Sequence, residues 1–300
     1  MSAESRPIDR RRLGLALAAL MLGAVAMGVS PIFVRLADVG PYASAFWRTF
    51  LALPFLFVWA HLEDRGKRKQ VLFDRSVLLV GVLFAGDLFF WHLSILATTV
   101  ANATFLATTA PIWVALGAWL AAHETIGART LIGLALCMLG GFALLGQSYG
   151  FAPQRLVGDA FGIVTSIFFG SYILAVRLAR RHFSAARLSF LSTAVTAGCL
   201  FLVAIVLEPR LLPQSAAGAA ALFALALISQ VAGQGLLAVA LGTLPATFSS
   251  LVIFIEAIAA AGFGWLVLGE ALGWLQGLGG VLIVAGIWVA RPQQESDGEG

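Results

Sequence analysis

One pattern in this 300-residue sequence constrains the fold more than any other, because it occurs twice. Glu124, Gly127, Gly133 and Gly140 follow the spacing E-x2-G-x5-G-x6-G, and Glu270, Gly273, Gly279 and Gly286 repeat it 146 residues later. In the same register Ile112/Ile258, Ala115/Ala261, Trp119/Trp265, Leu120/Leu266 and Leu136/Leu282 are identical pairs. A second echo lies upstream: Gly28 and the run Val34-Arg35-Leu36-Ala37 recur as Gly170 and Val176-Arg177-Leu178-Ala179, 142 residues on. Two matches in the same order, with a small drift in offset between them, mark a duplicated half.

Composition says what each half is made of. Sixty per cent of the residues are hydrophobic, only 11% are charged, and the mean hydropathy is +0.94, which excludes a soluble globular chain. Apolar runs long enough to approach the roughly 30 Å of a hydrocarbon core cover residues 13–34, 42–60, 77–96, 101–121, 131–145, 160–178, 188–207, 219–240, 246–268 and 274–290. The expectation is an all-α polytopic membrane protein of ten transmembrane helices. One five-helix repeat covers residues 13–146 and the other 158–290, with tails at 1–12 and 291–300. Five is odd, so the second half enters the membrane from the opposite side. Inverted repeats of this kind are typical of transporters that alternate access around a central cavity near the midplane.

The net charge of +4 is placed by topology. If the N-terminus is inside, Arg and Lys number 15 on the inner side, while Arg35, Arg155 and Arg210 fall outside and Arg48 lies within a span. This positive-inside bias predicts cytoplasmic N- and C-termini. The basic runs are then topology signals and suggest no nucleic-acid partner. The partners expected are the lipid bilayer and a small-molecule substrate, with the chain acting as a monomer. Arg10 to Arg12 before an apolar run imitate a signal peptide, but the run is too long for an h-region and its Gly28 recurs in the sixth segment. Cys137 and Cys199 lie in apolar spans without metal-ligand spacing and read as small core residues. The histidines are scattered, so neither metal nor cofactor is expected. The loops are too short for a soluble catalytic module, and no P-loop is present.

Ionisable groups inside spans cost about 2.5–3.5 kcal/mol even on lenient scales, and they usually face a cavity or a partner. Arg48, Asp87, His92 and Glu256 are the four that stand out. Asp87, Trp91, Ser94 and Thr98 fall at i, i+4, i+7 and i+11, one stripe of the third span. Asn102, Phe105, Thr109 and Trp113 form a similar stripe on the fourth. Gln230 and Gln234 stand four apart on the eighth, which the repeat relates to the third. Polar and aromatic groups on shared faces suit a cavity for an amphipathic solute, though interhelical hydrogen bonding by Gln, Asn and Thr accounts for the same pattern. With Phe254 from the ninth span, the substrate-binding candidates are Asp87, Trp91, His92, Asn102, Phe105, Trp113, Gln230, Gln234, Phe254 and Glu256. Arg48 lies within snorkelling reach of the outer interface and reads as structural, with Asp87 an alternative partner. Glu124 and Glu270 have an ordinary capping explanation near helix N-termini. Pro31, Pro54 and Pro111 are candidate bends.

The two five-helix halves, the run Ala45-Phe46-Trp47-Arg48, the spacing from Pro111 to Glu124 and the final Leu268-Gly269-Glu270 resemble the EamA family of the drug/metabolite transporter superfamily, over residues 13–290. The match departs at Ala257, where that family usually has proline after the glutamate, and this puts a bend in the ninth span in doubt. The resemblance implies ten helices around a central cavity, with the fifth and tenth peripheral. It also implies export of small metabolites across the bacterial inner membrane, and within the family the chain looks like the exporters of neutral and aromatic amino acids. A drug or other metabolite exporter of the same family is the alternative. A polytopic enzyme acting on lipid-linked substrates is the competitor from a different class, and it would need convergent acid–base residues at one interface. The topology is testable. Cysteines placed at Gln154 and Ser215 should react with an impermeant thiol reagent from outside the cell and one at Lys67 should not; reaction of all three from one side would end the argument.

Overall fold

The computed structural model describes residues 10–65, 74–98, 100–122, 126–145, 153–269 and 273–291. All ten spans are helical. Eight are long and apolar enough to cross a membrane: Arg11–Leu36, Pro41–Glu63, Arg75–Ala97, Ala103–Leu120, Leu156–Ala179, Ala185–Leu207, Ala216–Leu241 and Ala246–Val267. The fifth and tenth, Ala128–Leu145 and Trp274–Ala290, are shorter apolar helices. Helix is the form a bilayer demands of an unpaired chain segment, since every backbone N–H and C=O must be satisfied within it. The capping candidates Glu124 and Glu270 lie outside the described residues.

Breaks interrupt four of the spans. The first breaks at Val29, before Ser30–Leu36 with Pro31 in its first turn, and the second at Leu51 and Ala52, before Leu53–Glu63 with Pro54 in its first turn. The fourth breaks at Thr108 and Thr109, ahead of Pro111. In each case proline removes a backbone donor and crowds the preceding turn. The ninth span also breaks, at Ile253, although Ala257 stands where proline was the family's expectation. Side-chain hydroxyls supply another cause. Ser250 donates to the Thr247 carbonyl at 2.8 Å, as Thr108 and Thr109 donate to the Phe105 and Leu106 carbonyls at 2.7 Å in the fourth span, and such bonds compete with the helical ladder. The eighth span carries a different irregularity, a π-helical stretch over Leu225–Gln234.

The repeated glycines explain how the halves meet. In the fifth and tenth helices, a Cβ on Gly140 would lie 2.6 Å from the Gly279 carbonyl oxygen, and one on Gly133 would lie 2.6 Å from that of Gly286. The reciprocal contacts are equally close. Each motif therefore packs antiparallel on its own copy, with Cys137 placed against the Ile283 carbonyl between the two crossings. The second echo does not meet its own copy but seats on two other, mutually equivalent stretches. Gly28 packs on the Glu256 carbonyl, Ala259 and Ala260 of the ninth span, and Gly170 packs on the Ala110 carbonyl, Trp113 and Val114 of the fourth. Those two target sets are themselves 146 residues apart, which is the signature of a pseudo-two-fold in the membrane plane.

The two membrane faces are not equivalent. On the face where the first span starts and the tenth ends, called terminal here, Ala110–Ala122 packs against Ala246–Val252. On the opposite, distal face the symmetry-related segments Val100–Ala107 and Phe254–Leu268 make no comparable contact among the described residues. The terminal face is also tied by the Arg187–Asp64 ion pair at 3.3 Å and by Arg177 Nη1 and Arg180 Nε, which donate to the Leu241 and Ala238 carbonyls at 2.8 Å. The close approaches predict a sharp positional contrast. Gly140→Leu should cost about 1–3 kcal/mol of packing strain and lower the melting midpoint in detergent by about 5 °C, whereas Gly280→Leu, with open space at its Cβ, should leave it unchanged.

Candidate functional site

The breaks of the first, fourth and ninth spans lie at or next to the lining of one cavity. Met27, Ser30 and Pro31 of the first span, Arg48 of the second, Phe84, Asp87, Leu88 and Trp91 of the third, and Thr104, Thr108 and Pro111 of the fourth line it from one half. Phe169, Ile173, Gln234, Ser250, Ile253, Phe254, Glu256 and Ala260 line it from the other. Bent helices expose backbone and side chains to such a space where straight ones would close it, and irregular backbone at membrane depth is tolerated where it lines a cavity. The cavity extends from mid-membrane towards the distal face, reaching Trp91, Thr104 and Ala260.

Arg48 is the organising group. Only 6% of it is exposed, so it does not snorkel to the interface. Its Nε donates to Gln230 Oε1 at 3.1 Å, its Nη1 donates to Ser30 Oγ at 3.3 Å, and the guanidinium lies 5.9 Å from the centroid of the Phe84 ring. A guanidinium has five N–H donors, and these bonds occupy two. No carboxylate oxygen of a described residue comes within 4.0 Å of it, though Asp87 and Glu256 are near enough for their charges to be felt. The site thus holds one fixed cation and two carboxylates around a shared space, with donors and acceptors left over.

The remaining candidates divide between the cavity and its supports. Asp87, Trp91, Gln234, Phe254 and Glu256 line the space. Gln230 stands behind Arg48 and passes the bond on, its Nε2 donating to Thr193 Oγ1 at 3.2 Å. Gln234 accepts from Tyr172 Oη at 3.1 Å and its Nε2 lies 3.2 Å from Met27 Sδ. Both amides are committed to protein partners, and the π-helix that carries them sets their presentation. His92 is buried, with Nδ1 2.5 Å from the Leu88 carbonyl and its ring edge-on to Trp91. Phe105 packs on Phe142 of the fifth helix, and Trp113 Nε1 donates to Ser166 Oγ at 2.7 Å. Asn102 falls outside the described side chains. The stripe on the third span splits: Asp87 and Trp91 face the cavity, but Ser94 Oγ donates to the Gly158 carbonyl at 2.8 Å and Thr98 Oγ1 to Asp159 Oδ1 at 2.7 Å, fastening the distal end to the sixth span. Arg48, Ser30 and Phe84, which line the cavity, and Tyr172, which holds Gln234, are not distinguished as cavity residues by spacing. An arginine within an apolar run was the available signal for the first of them.

The comparisons with known proteins bear on this arrangement. The sequence pattern of the EamA-like transporter family matches residues 14–146 and, a second time, residues 156–291. An uncharacterized transporter of Archaeoglobus fulgidus is 26% identical over 293 residues, covering 91% of this chain and 95% of the relative. A second from the same organism is 25% identical over 280 residues, covering 88% and 92%. A solved crystal structure superposes with a TM-score of 0.75 at 20% identity, covering 93% of this chain and 96% of that one, a likeness of fold. Arg48 offers the direct test of the site. Lysine keeps the charge but not the planar fork, so Arg48→Lys should reduce transport about tenfold, in line with the loss of one hydrogen bond to a charged group, with little change in folded yield. Full transport by the lysine variant would show that the fork is dispensable.

Proposed function

This chain belongs to the EamA-like transporter family, and from that premise we propose that it exports amino acids of broad specificity, neutral and aromatic ones included, by alternating access. The observation that carries the reading is the charge set of the cavity. Arg48, with donors to spare, faces the same space as Asp87 and Glu256. A zwitterion satisfies both signs at once: its carboxylate takes the free guanidinium N–H groups, and its ammonium takes a carboxylate. Phe84, Trp91, Phe169 and Phe254 give its side chain broad apolar faces without selecting one shape. An anionic side chain would add charge beside Asp87 and Glu256 and is disfavoured.

The asymmetry between faces fits one stage of such a cycle. Contacts between the fourth and ninth spans close the terminal side, and the lack of a comparable contact among the described residues of the distal side leaves the cavity directed there. With the positive-inside bias of the sequence putting the terminal face on the cytoplasmic side, this is a release-competent, outward-directed state. Transport then requires the closed pair to open as its symmetry mate closes.

Counterflow of labelled phenylalanine into liposomes holding the purified protein tests the proposal. Unlabelled phenylalanine and threonine should compete and glutamate should not. Glutamate competing as well as phenylalanine would overturn the charge argument, and no competition by any amino acid would transfer the cargo to drugs or other metabolites.

A further inference from the structure

A second space lies on the outer surface of the bundle, between the second and seventh spans. It is a groove of about 1100 Å³ whose walls include Phe46, Phe50, Leu53, Gly198 and Phe201, and whose distal end is closed by the loop at Leu211. The loop is held in place, because the Trp47 indole Nε1 donates to the Leu211 carbonyl at 2.6 Å. Arg210 lines the mouth of the groove and is exposed. It makes no hydrogen bond or ion pair with another described residue. The nearby carboxylate of Glu208 is already engaged, accepting from the Tyr42 backbone N–H at 2.7 Å.

Dimensions identify the occupant. From Pro41, where the second span begins, to Leu53 at the deep end of the groove is twelve residues, about 18 Å of helix. One leaflet of hydrocarbon is about 15 Å deep. The groove is therefore a one-leaflet slot with a cation at headgroup level that no described residue pairs, three residues beyond the end of the seventh span at Leu207. We propose that it binds a phospholipid of the distal leaflet, one acyl chain lying between Phe46, Phe50 and Phe201 and the phosphodiester on Arg210. The chain alone gains only what bulk lipid offers, since lipid tails are as apolar as the walls, so selectivity comes from the charge-assisted bond to phosphate. Trp47 lines the groove and its neighbour Arg48 lines the central cavity, so an occupied groove braces the helix that carries the cavity's cation.

Native mass spectrometry of delipidated protein titrated with phosphatidylglycerol tests this independently of any transport substrate. One lipid should bind to the wild type, and Arg210→Gln should weaken that binding at least tenfold. Gly198→Phe, whose side chain would enter the groove from a Cβ position with nothing within 4 Å, should do the same. Gly277→Phe, which fills a separate groove lined by the ninth and tenth spans, should have no effect. Diacylglycerol with the same chains should bind at least tenfold more weakly, and millimolar inorganic phosphate should not displace the lipid. Equal binding by Arg210→Gln or by diacylglycerol would overturn the proposal in favour of ordinary boundary lipid. Displacement by phosphate alone would overturn it in favour of a free-anion site. Arg210 is exposed, so its variant keeps the test decisive if Gly198→Phe fails to fold.

Discussion

Helices in a bilayer gain little by hiding from lipid, so their assembly depends on how closely backbones can approach. In this chain that approach is set at a few glycines, and those of the fifth and tenth helices contact their own duplicates. Gly133 and Gly140 meet Gly286 and Gly279 across the fifth and tenth helices, while Gly28 and Gly170 seat the first and sixth spans on equivalent stretches of the ninth and fourth. An antiparallel self-contact requires the two copies to run in opposite directions through the membrane. The inverted topology is therefore built into the packing, and the cavity on the pseudo-axis follows from it.

The chemistry does not share this symmetry. Glu256 has Ala110 as its counterpart, and nothing ionisable stands at residues 190–194 or 229–233, the levels of the second half that correspond to Arg48 and Asp87. A duplicated scaffold thus carries a charge set drawn mostly from the first half. The second half contributes supports: Gln230 and Thr193 relay a hydrogen bond to Arg48, and Tyr172 fixes Gln234. A guanidinium buried without such partners would be strongly destabilising. With them it stays charged and lines the cavity, with no counter-ion in direct contact among the described residues. That shortfall is what a carboxylate-bearing solute would fill.

Much of the architecture was legible from composition and spacing. The apolar runs located every span to within a few residues, and even the short fifth run corresponds to a short helix, Ala128–Leu145. The glycine register showed the duplication because close approach tolerates no side chain there. What spacing could not show was how a stripe is divided along its length. Asp87 and Ser94 share one face of a regular helix, yet one opens on the cavity and the other bonds the sixth span, because neighbouring helices diverge at one depth and converge at another. Periodicity likewise assumes 3.6 residues per turn, so it gives no sign of the π-helical stretch Leu225–Gln234 that carries both glutamines. Arg48 was misplaced for a related reason: seven residues from a span end is compatible with snorkelling, and only the packing of the first and eighth spans around it removes that exit.

The irregularities also have a common location. Val29, Thr108 and Ile253 interrupt their helices at or next to residues that line the cavity, and the π-helical segment joins them from the eighth span through Gln234. Away from these points the spans pack as continuous rods, most tightly at the glycine seams. Motion that exchanges the closed terminal contact for a distal one must change the angle between the two parts of a broken span, because the seams at Gly28 and Gly170 leave no slack for sliding. The fourth and ninth spans are the pair whose ends meet on one face and part on the other, and each is broken next to a seam, at Thr108 and Ile253 beside Ala110 and Glu256. Hydroxyl-mediated breaks are softer than proline kinks, since the displaced backbone bonds can re-form. On this geometry the ninth span, which has no proline at its break, is the half of the pair better suited to straighten and bend as access alternates.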